Sequence, residues 1–301
     1  MIRHVSSALV LSGVGLTALY SLLITGADAI TKGFAQSYSA PQLFAISGGL
    51  VALFSLLANR DTCGQRRCMS TQCPRAMTVR VVATVLGTLA FFHAFRLLPF
   101  ADVFLFIALI PLFTAILSGP VLGEPVRSQT WMALGLGVVG VACVFPEGVH
   151  GMGLGHLIAL SAVILGSISM VTSRFIGRRD TNLLAQVFYP NLALMGVMAL
   201  ALPFVFKPMS SIDVALAAIY ALLLFGARWV LVAALRILPA YVVTPLMNLQ
   251  FIWMVAIGWA FFAETPAAHT YLGAFIIISA GGWLIWERIR PVADKTLVPA
   301  E

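Results

Sequence analysis

The residues able to do chemistry sit inside or at the edges of long apolar stretches, where an ionisable side chain is costly and serves as a functional candidate. Asp28 stands four residues before Lys32. The two form either a surface i,i+4 pair or an arrangement in which the carboxylate faces a cavity and meets a cationic substrate or a proton. Thr17 and Ser21 share its helical face by spacing. His93 and Arg96 share a second face, with Asp102 across a short turn. That trio reads as an ion-paired outer gate or as a plain interfacial cluster. Arg228 lies beside Trp229 inside an apolar run. It either snorkels to headgroups or supplies a fixed positive charge for an anionic or carboxylate-bearing ligand. Tyr241, Thr244 and Asn248 form one narrow polar stripe, and Asn182, Gln186 and Tyr189 another. Such stripes suit interhelical hydrogen bonds or the wall of a wet pocket. The substrate-binding candidates are therefore Asp28, Tyr189, Arg228, Trp229, Tyr241 and Asn248, and the gate candidates His93, Arg96 and Asp102.

Whatever positions these groups is not a water-soluble globule. Of the 301 residues 60% are hydrophobic and only 10% charged, against about 25% charged in soluble domains. The formal net charge of +7 gathers between the apolar runs, which fits membrane topology better than a nucleic-acid face. Cys63, Cys68 and Cys73 share one basic loop without a histidine. Their spacing is looser than a zinc site's, so reduced cytosolic thiols are expected and no metal or cofactor is assigned.

Ten apolar segments are predicted, at about 8–30, 42–58, 77–96, 100–119, 129–146, 155–173, 183–204, 213–235, 239–262 and 269–286. Crossing a bilayer takes ~20 residues. With the N-terminus inside, fourteen of the eighteen Lys and Arg residues fall on the inner side, Arg80 among them. Lys32, Arg96 and Lys207 fall outside, and Arg228 lies within a span. This asymmetry predicts two cytoplasmic termini. Pro111, Pro190 and Pro245 lie within spans, where each can kink its helix.

One stretch occurs twice. Residues 96–124 and 236–264 each open on Arg-x-Leu-Pro and close on an acid, Glu124 or Glu264. Five spans separate the copies, so the second half is expected to be inverted. The expected domains are a five-helix repeat over 1–146, its inverted partner over 147–290, and a cytoplasmic tail over 291–301. Inverted repeats around a midplane site are a transporter signature. Glu124 and Glu264 are expected to cap the next helix.

The stretch LPFADVFLFIALIPLFTAILSGPVLGEPV, the glycine-rich helix after it and the closing FFAETPAAHTYLGAFIIISAGGWLIWERIR resemble the EamA-type, ten-helix members of the drug/metabolite transporter superfamily. The DAITK stretch is similar to a subgroup with S-adenosylmethionine and riboflavin uptake carriers. The second helix departs from relatives that carry an arginine there, having Ser47 and Gly48 instead. The resemblance implies an all-α membrane protein with a cavity lined mainly by the first, third, fourth, sixth, eighth and ninth helices. It also implies alternating access without ATP hydrolysis, and no P-loop is present. The expected function is secondary transport of a small polar or amphipathic metabolite (amino acid, riboflavin-like or S-adenosylmethionine-like) across the inner or plasma membrane. Expected partners are that substrate, membrane lipid and, as an option, a coupling proton. No nucleic acid is expected, and both monomer and homodimer stay open. The rival readings are a lipid-modifying membrane enzyme, for which no H-E-x-x-H or G-x-S-x-G motif appears, a passive channel, and a non-transporting membrane subunit.

Overall fold

The computed structural model describes residues 7–62, 71–123, 128–143, 153–180, 183–237 and 247–289. The described residues are helical, with no strand among them. The helices are α1 (Ser7–Ser37), α2 (Ala40–Thr62), α3 (Pro74–Leu97), α4 (Phe100–Ile107), α5 (Ile110–Leu122), α6 (Ser128–Ala142), α7 (Leu154–Gly177), α8 (Leu183–Val205) and α9 (Ser211–Ile237). A 3-10 turn (Met247–Leu249) then leads into α10 (Gln250–Phe262), and α11 (Ala268–Ile289) closes the bundle. Among the described residues, six stretches are long and apolar enough to cross a bilayer, with shorter apolar helices beside them. Helices suit this environment because they satisfy their own backbone polar groups.

Local chemistry explains the boundaries. Pro74 opens α3, where its missing N–H costs nothing. Leu98, held before Pro99, is extended (ψ 153°) and ends that helix. The fourth apolar segment, expected as one span, is two helices interrupted at Ala108 and Leu109. Pro111 has no N–H to offer Ile107, so Leu109 bonds back to Phe106 in a tighter turn, 2.9 Å. Gly123 ends α5 at φ 67°, a left-handed position that suits glycine. Ala263 adopts the same region at φ 53° at the end of α10, where an L-residue pays about 1–2 kcal/mol.

The surface is inside-out relative to a soluble protein. Phe204 is 88% exposed, Phe261 79% and Leu200 77%, as hydrocarbon surroundings permit. Polar side chains such as Thr17, Thr25, Gln42, Ser47 and Gln186 are buried. Several hydroxyls bond their own helix, as Thr17 to Gly13 O (2.9 Å), Thr25 to Ser21 O (2.7 Å) and Ser55 to Val51 O (2.8 Å). That removes a donor that lipid could not satisfy.

Packing joins helices from opposite parts of the chain: α1 with α9, α2 with α8, α3 and α5 with α7, α4 with α10, and α6 with α11. Small residues permit the closest crossings. A Cβ on Gly48 of α2 would meet the Asn191 carbonyl oxygen at 2.9 Å, and one on Gly140 would meet that of Gly273 at 2.9 Å. Within α6, Gly137 and Gly140 sit at such close approaches, whereas Gly135 faces open space. Two apolar cores flank the middle of the bundle. One gathers Phe95, Phe100, Phe104 and Phe106 against Phe251 and Met254. The other gathers Phe34, Leu43, Phe44 and Phe92 against Leu194 and Tyr220.

Candidate binding site

Between α2, α3, α7, α8 and α9 lies a hollow of about 300 Å³. Its walls come from both halves of the chain. Helix α3 contributes Arg80, Thr84 and Thr88, α2 contributes Phe44, Ser47 and Val51, and α7 contributes Ser169. Helix α8 contributes Gln186, Pro190, Asn191 and Leu194, and α9 contributes Tyr220 and Leu224. Pro190 interrupts the α8 ladder at the wall, with Asn191 Nδ2 donating to Val187 O at 2.7 Å.

The polar end is organised around Gln186. Its Oε1 accepts from Arg80 Nη1 and from Ser173 Oγ, each at 2.8 Å. Thr84 and Ser169 share a hydroxyl–hydroxyl bond of 2.7 Å on the adjoining wall. Towards the middle of the bundle the walls turn aromatic, with the Phe44 and Tyr220 rings 6.2 Å apart and Phe92 edge-on behind Phe44. A larger hollow of about 460 Å³ between α1, α9 and α10 is apolar except for Ser37, Tyr38 and Asp213. It has no set of convergent polar groups to orient a polar ligand, so the smaller hollow is the better candidate.

The end of the bundle opposite Arg80 is tied shut across the halves. Lys32, only 2% exposed, pairs with Glu264 Oε1 at 2.7 Å and donates to Leu98 O at 2.9 Å. Its ammonium also lies 5.9 Å and 5.5 Å from the Phe100 and Phe262 ring centroids. Glu264 Oε2 accepts from the Phe100 amide at 2.7 Å. The left-handed turn at Ala263 bends the chain just before this carboxylate. Tyr38 donates to Asp213 at 2.6 Å, Gln42 to Lys207 O at 2.7 Å, and Lys207 to Ser37 O at 3.1 Å. Hydrogen bonding to Asp213 raises the Tyr38 phenol above its ordinary range.

The expected residues are distributed differently from their spacing. Asp28 does not pair with Lys32; its Oδ2 accepts from Gln250 Nε2 at 2.9 Å. Nearby, Trp253 Nε1 donates to Ser21 Oγ at 3.0 Å. Asn248 is half-buried in the 3-10 turn, which packs on α1. Tyr189 packs on Met77, Ile176 and Ala185. None of these lines the 300 Å³ hollow. Arg228 and Trp229 lie on α9, but their side chains, like Tyr241 altogether, fall outside the described residues, as do Glu124, Thr244 and Pro245. The His93, Arg96 and Asp102 trio is not drawn together: His93 bonds Leu89 O on its own helix (2.8 Å), Arg96 is exposed, and Asp102 accepts from Thr270 (2.8 Å). Glu264 caps α4, not the helix that follows it. The wall helices are the second, third, sixth, seventh and eighth segments rather than the implied set. Arg80, expected among loop charges, is a wall residue. Its signal was legible, because Arg80, Thr84 and Thr88 recur at i, i+4 and i+8.

Fold and hollow together define a multi-pass, all-helical membrane protein with a polar chamber between its halves. Residues 11–145 match the EamA-like transporter family. A riboflavin transporter of Rhizobium johnstonii is 27% identical over 224 residues, 74% of each chain. A solved crystal structure, 18% identical, covers 94% of this chain and 99% of its own, with a TM-score of 0.61. Residues 11–145 thus carry an EamA-like transporter domain, and most of the chain is similar to a named transporter. These likenesses support a membrane metabolite transporter with a small-molecule substrate.

Proposed function

We propose that this protein is a secondary transporter of the inner or plasma membrane that moves a small polar or amphipathic metabolite by alternating access. The observation that carries this reading is the polar hollow walled by helices of both halves. Its support is the reciprocal pairing of helices. Replacing each segment by the one five places along turns the α3–α7 contact into α9–α1 and returns α2–α8 and α4–α10 to themselves. A two-fold exchange of repeats 1–146 and 147–290 would generate that pattern, and rocking one repeat against the other would open the chamber at alternate ends. The bonds from Lys32, Tyr38 and Gln42 to the second half would break when their end opens.

A flat, riboflavin-like cargo leads the candidates because the Rhizobium johnstonii relative is named for riboflavin. S-adenosylmethionine and amino acids follow. Asp28 is proposed to meet a cationic cargo or the coupling proton, and Tyr189, Arg228, Trp229, Tyr241 and Asn248 to contact cargo in other steps of the cycle. Both termini are proposed to be cytoplasmic, in a monomer or homodimer.

The test is reconstitution of the pure chain in proteoliposomes, with saturable counterflow of a solute chosen by thermal-shift screening, since selective binding raises apparent stability. Chemical alteration of the solute, or flux that never saturates, would defeat the proposal. Cysteine labelling at Arg96 and Arg236 tests the inversion. Labelling from one side of the membrane at both turns would contradict it.

A further inference from the structure

The larger hollow, of about 460 Å³ between α1, α9 and α10, is apolar along its body and carries two opposite charges at its polar end. We propose that it seats a phospholipid with an ammonium-bearing zwitterionic head, phosphatidylethanolamine in chemistry. One acyl chain fills the apolar body, the ammonium meets Asp213 and the phosphate meets Lys207. The site is separate from the polar hollow at Arg80 and does not depend on the transporter reading.

The body suits a hydrocarbon chain. Ala29, Ile30 and Phe34 of α1 face Leu216 of α9 and Ile257 and Phe261 of α10. Helix α1 packs on both neighbours, whereas α9 and α10 have no such packing on one another among the described residues. The slot between them therefore faces the bilayer, with Phe261 79% exposed at its rim. A Cβ on Gly33, in the wall, would meet nothing within 4 Å, so the space beside it is open. Lipid tails are as apolar as leucine, and filling this space gains a chain little that the bilayer lacks. Selection has to come from the head.

Consecutive residues at the end of α1 hold the two charges. Ser37 O accepts from Lys207 Nζ at 3.1 Å, and the Tyr38 hydroxyl donates to Asp213 Oδ2 at 2.6 Å. Ser210 gives the same Oδ2 its amide at 3.0 Å and its hydroxyl at 2.7 Å. Three donors on one oxygen hold Asp213 as a carboxylate and leave Oδ1 without a partner among the described residues. Lys207 directs its ammonium at a backbone carbonyl, which does not neutralise it, and forms no ion pair with Asp213. A negative and a positive group thus stand side by side without cancelling. A phosphoethanolamine head carries the complementary pair: its ammonium donates to Oδ1 and its phosphate accepts from Lys207, both as charge-assisted bonds. A choline head has the charge but no N–H to donate. A glycerol head has no cation, and Asp213 repels its phosphate.

The test is native mass spectrometry of the full purified chain, titrated with dioleoyl phosphatidylethanolamine, phosphatidylcholine or phosphatidylglycerol. The ethanolamine lipid should bind at least about tenfold more tightly than the other two, as one charge-assisted hydrogen bond allows. Asp213→Asn should remove the preference, since the amide keeps an acceptor for Tyr38 while the charge is lost. Lys207→Gln should weaken all three lipids and leave the ethanolamine lipid ahead. Gly33→Leu should occupy the hollow and weaken all three, while the two head variants decide the selectivity without that packing change. Equal binding of the three lipids, a preference that survives Asp213→Asn, or ethanolamine-lipid binding unchanged in Gly33→Leu overturns the proposal. So does displacement by soluble glycerophosphoethanolamine at equal concentration, which would give the site to a water-borne solute. A lipid-free dimer that Gly33→Leu abolishes would give the groove to a second copy of this chain and overturn it as well.

Discussion

Removing both members of the Lys32–Glu264 pair should cost no more than removing one. The ions are 2.7 Å apart, which at an effective dielectric of ~20 corresponds to about 6 kcal/mol of attraction. Much of that is offset by taking Lys32, at 2% exposure, out of water, whereas the Glu264 side chain keeps 28%. Experience with buried pairs puts the loss of one partner at about 3–5 kcal/mol, and replacement of both by groups of similar shape near neutral. The wetter glutamate argues for the low end. Lys32→Met should therefore cost about 3 kcal/mol, leaving an unneutralised carboxylate, and Glu264→Gln should cost about the same, leaving a buried ammonium. The glutamine still offers an oxygen to the Phe100 amide. The double variant should lose about 3 kcal/mol, most of it from Leu98 O and imperfect packing, so the coupling is also about 3 kcal/mol. Reversible unfolding in mixed micelles, titrated with denaturing detergent, measures all four corners of the cycle. Additivity of the two single losses to within about 0.5 kcal/mol would refute the claim that this pair acts as a unit across the bundle.

Three further outcomes follow from the packing. Gly48→Leu should destabilise by about 1–3 kcal/mol or more in the same micelle assay, because the atoms it meets on α8 are the backbone of Asn191 and Met195. Trp253→Phe removes the donor to Ser21 and should cost about 1 kcal/mol, with a Ser21→Ala background abolishing most of that difference. The raised Tyr38 phenol makes the folded state hold its proton more tightly. Its contribution is present in full below the ordinary tyrosine range and is lost as pH rises through the raised value; ultraviolet titration should show the Tyr38 transition above that of free tyrosine, and Asp213→Asn should bring it down.

Much of the molecule was written in the order of its residues. Long apolar runs with few charges admit helices in lipid and little else, because only structures that satisfy their own backbone survive there. Pro99 and Gly123 mark helix ends by local stereochemistry alone. The interruption at Ala108 and Leu109 was legible too, in Pro111, although an unbroken hydropathy run concealed it.

Partnerships between side chains distant in sequence were not legible, because periodicity reports which face a residue occupies and says nothing of what stands opposite. Asp28 and Lys32 look like each other's natural partner at i,i+4, yet α10 brings Gln250 to the first and the turn after it brings Glu264 to the second. Arg80 shows the same limit from the other side. Nearness to a basic loop made it a topology marker by sequence, and only the approach of α8, which sets Gln186 against it, turned it into the wall of a chamber. Sequence determined that the chain would lie in a membrane as helices; the meeting of its two halves decided where charge could be buried there, since a buried ion needs a partner that local chain geometry alone does not supply.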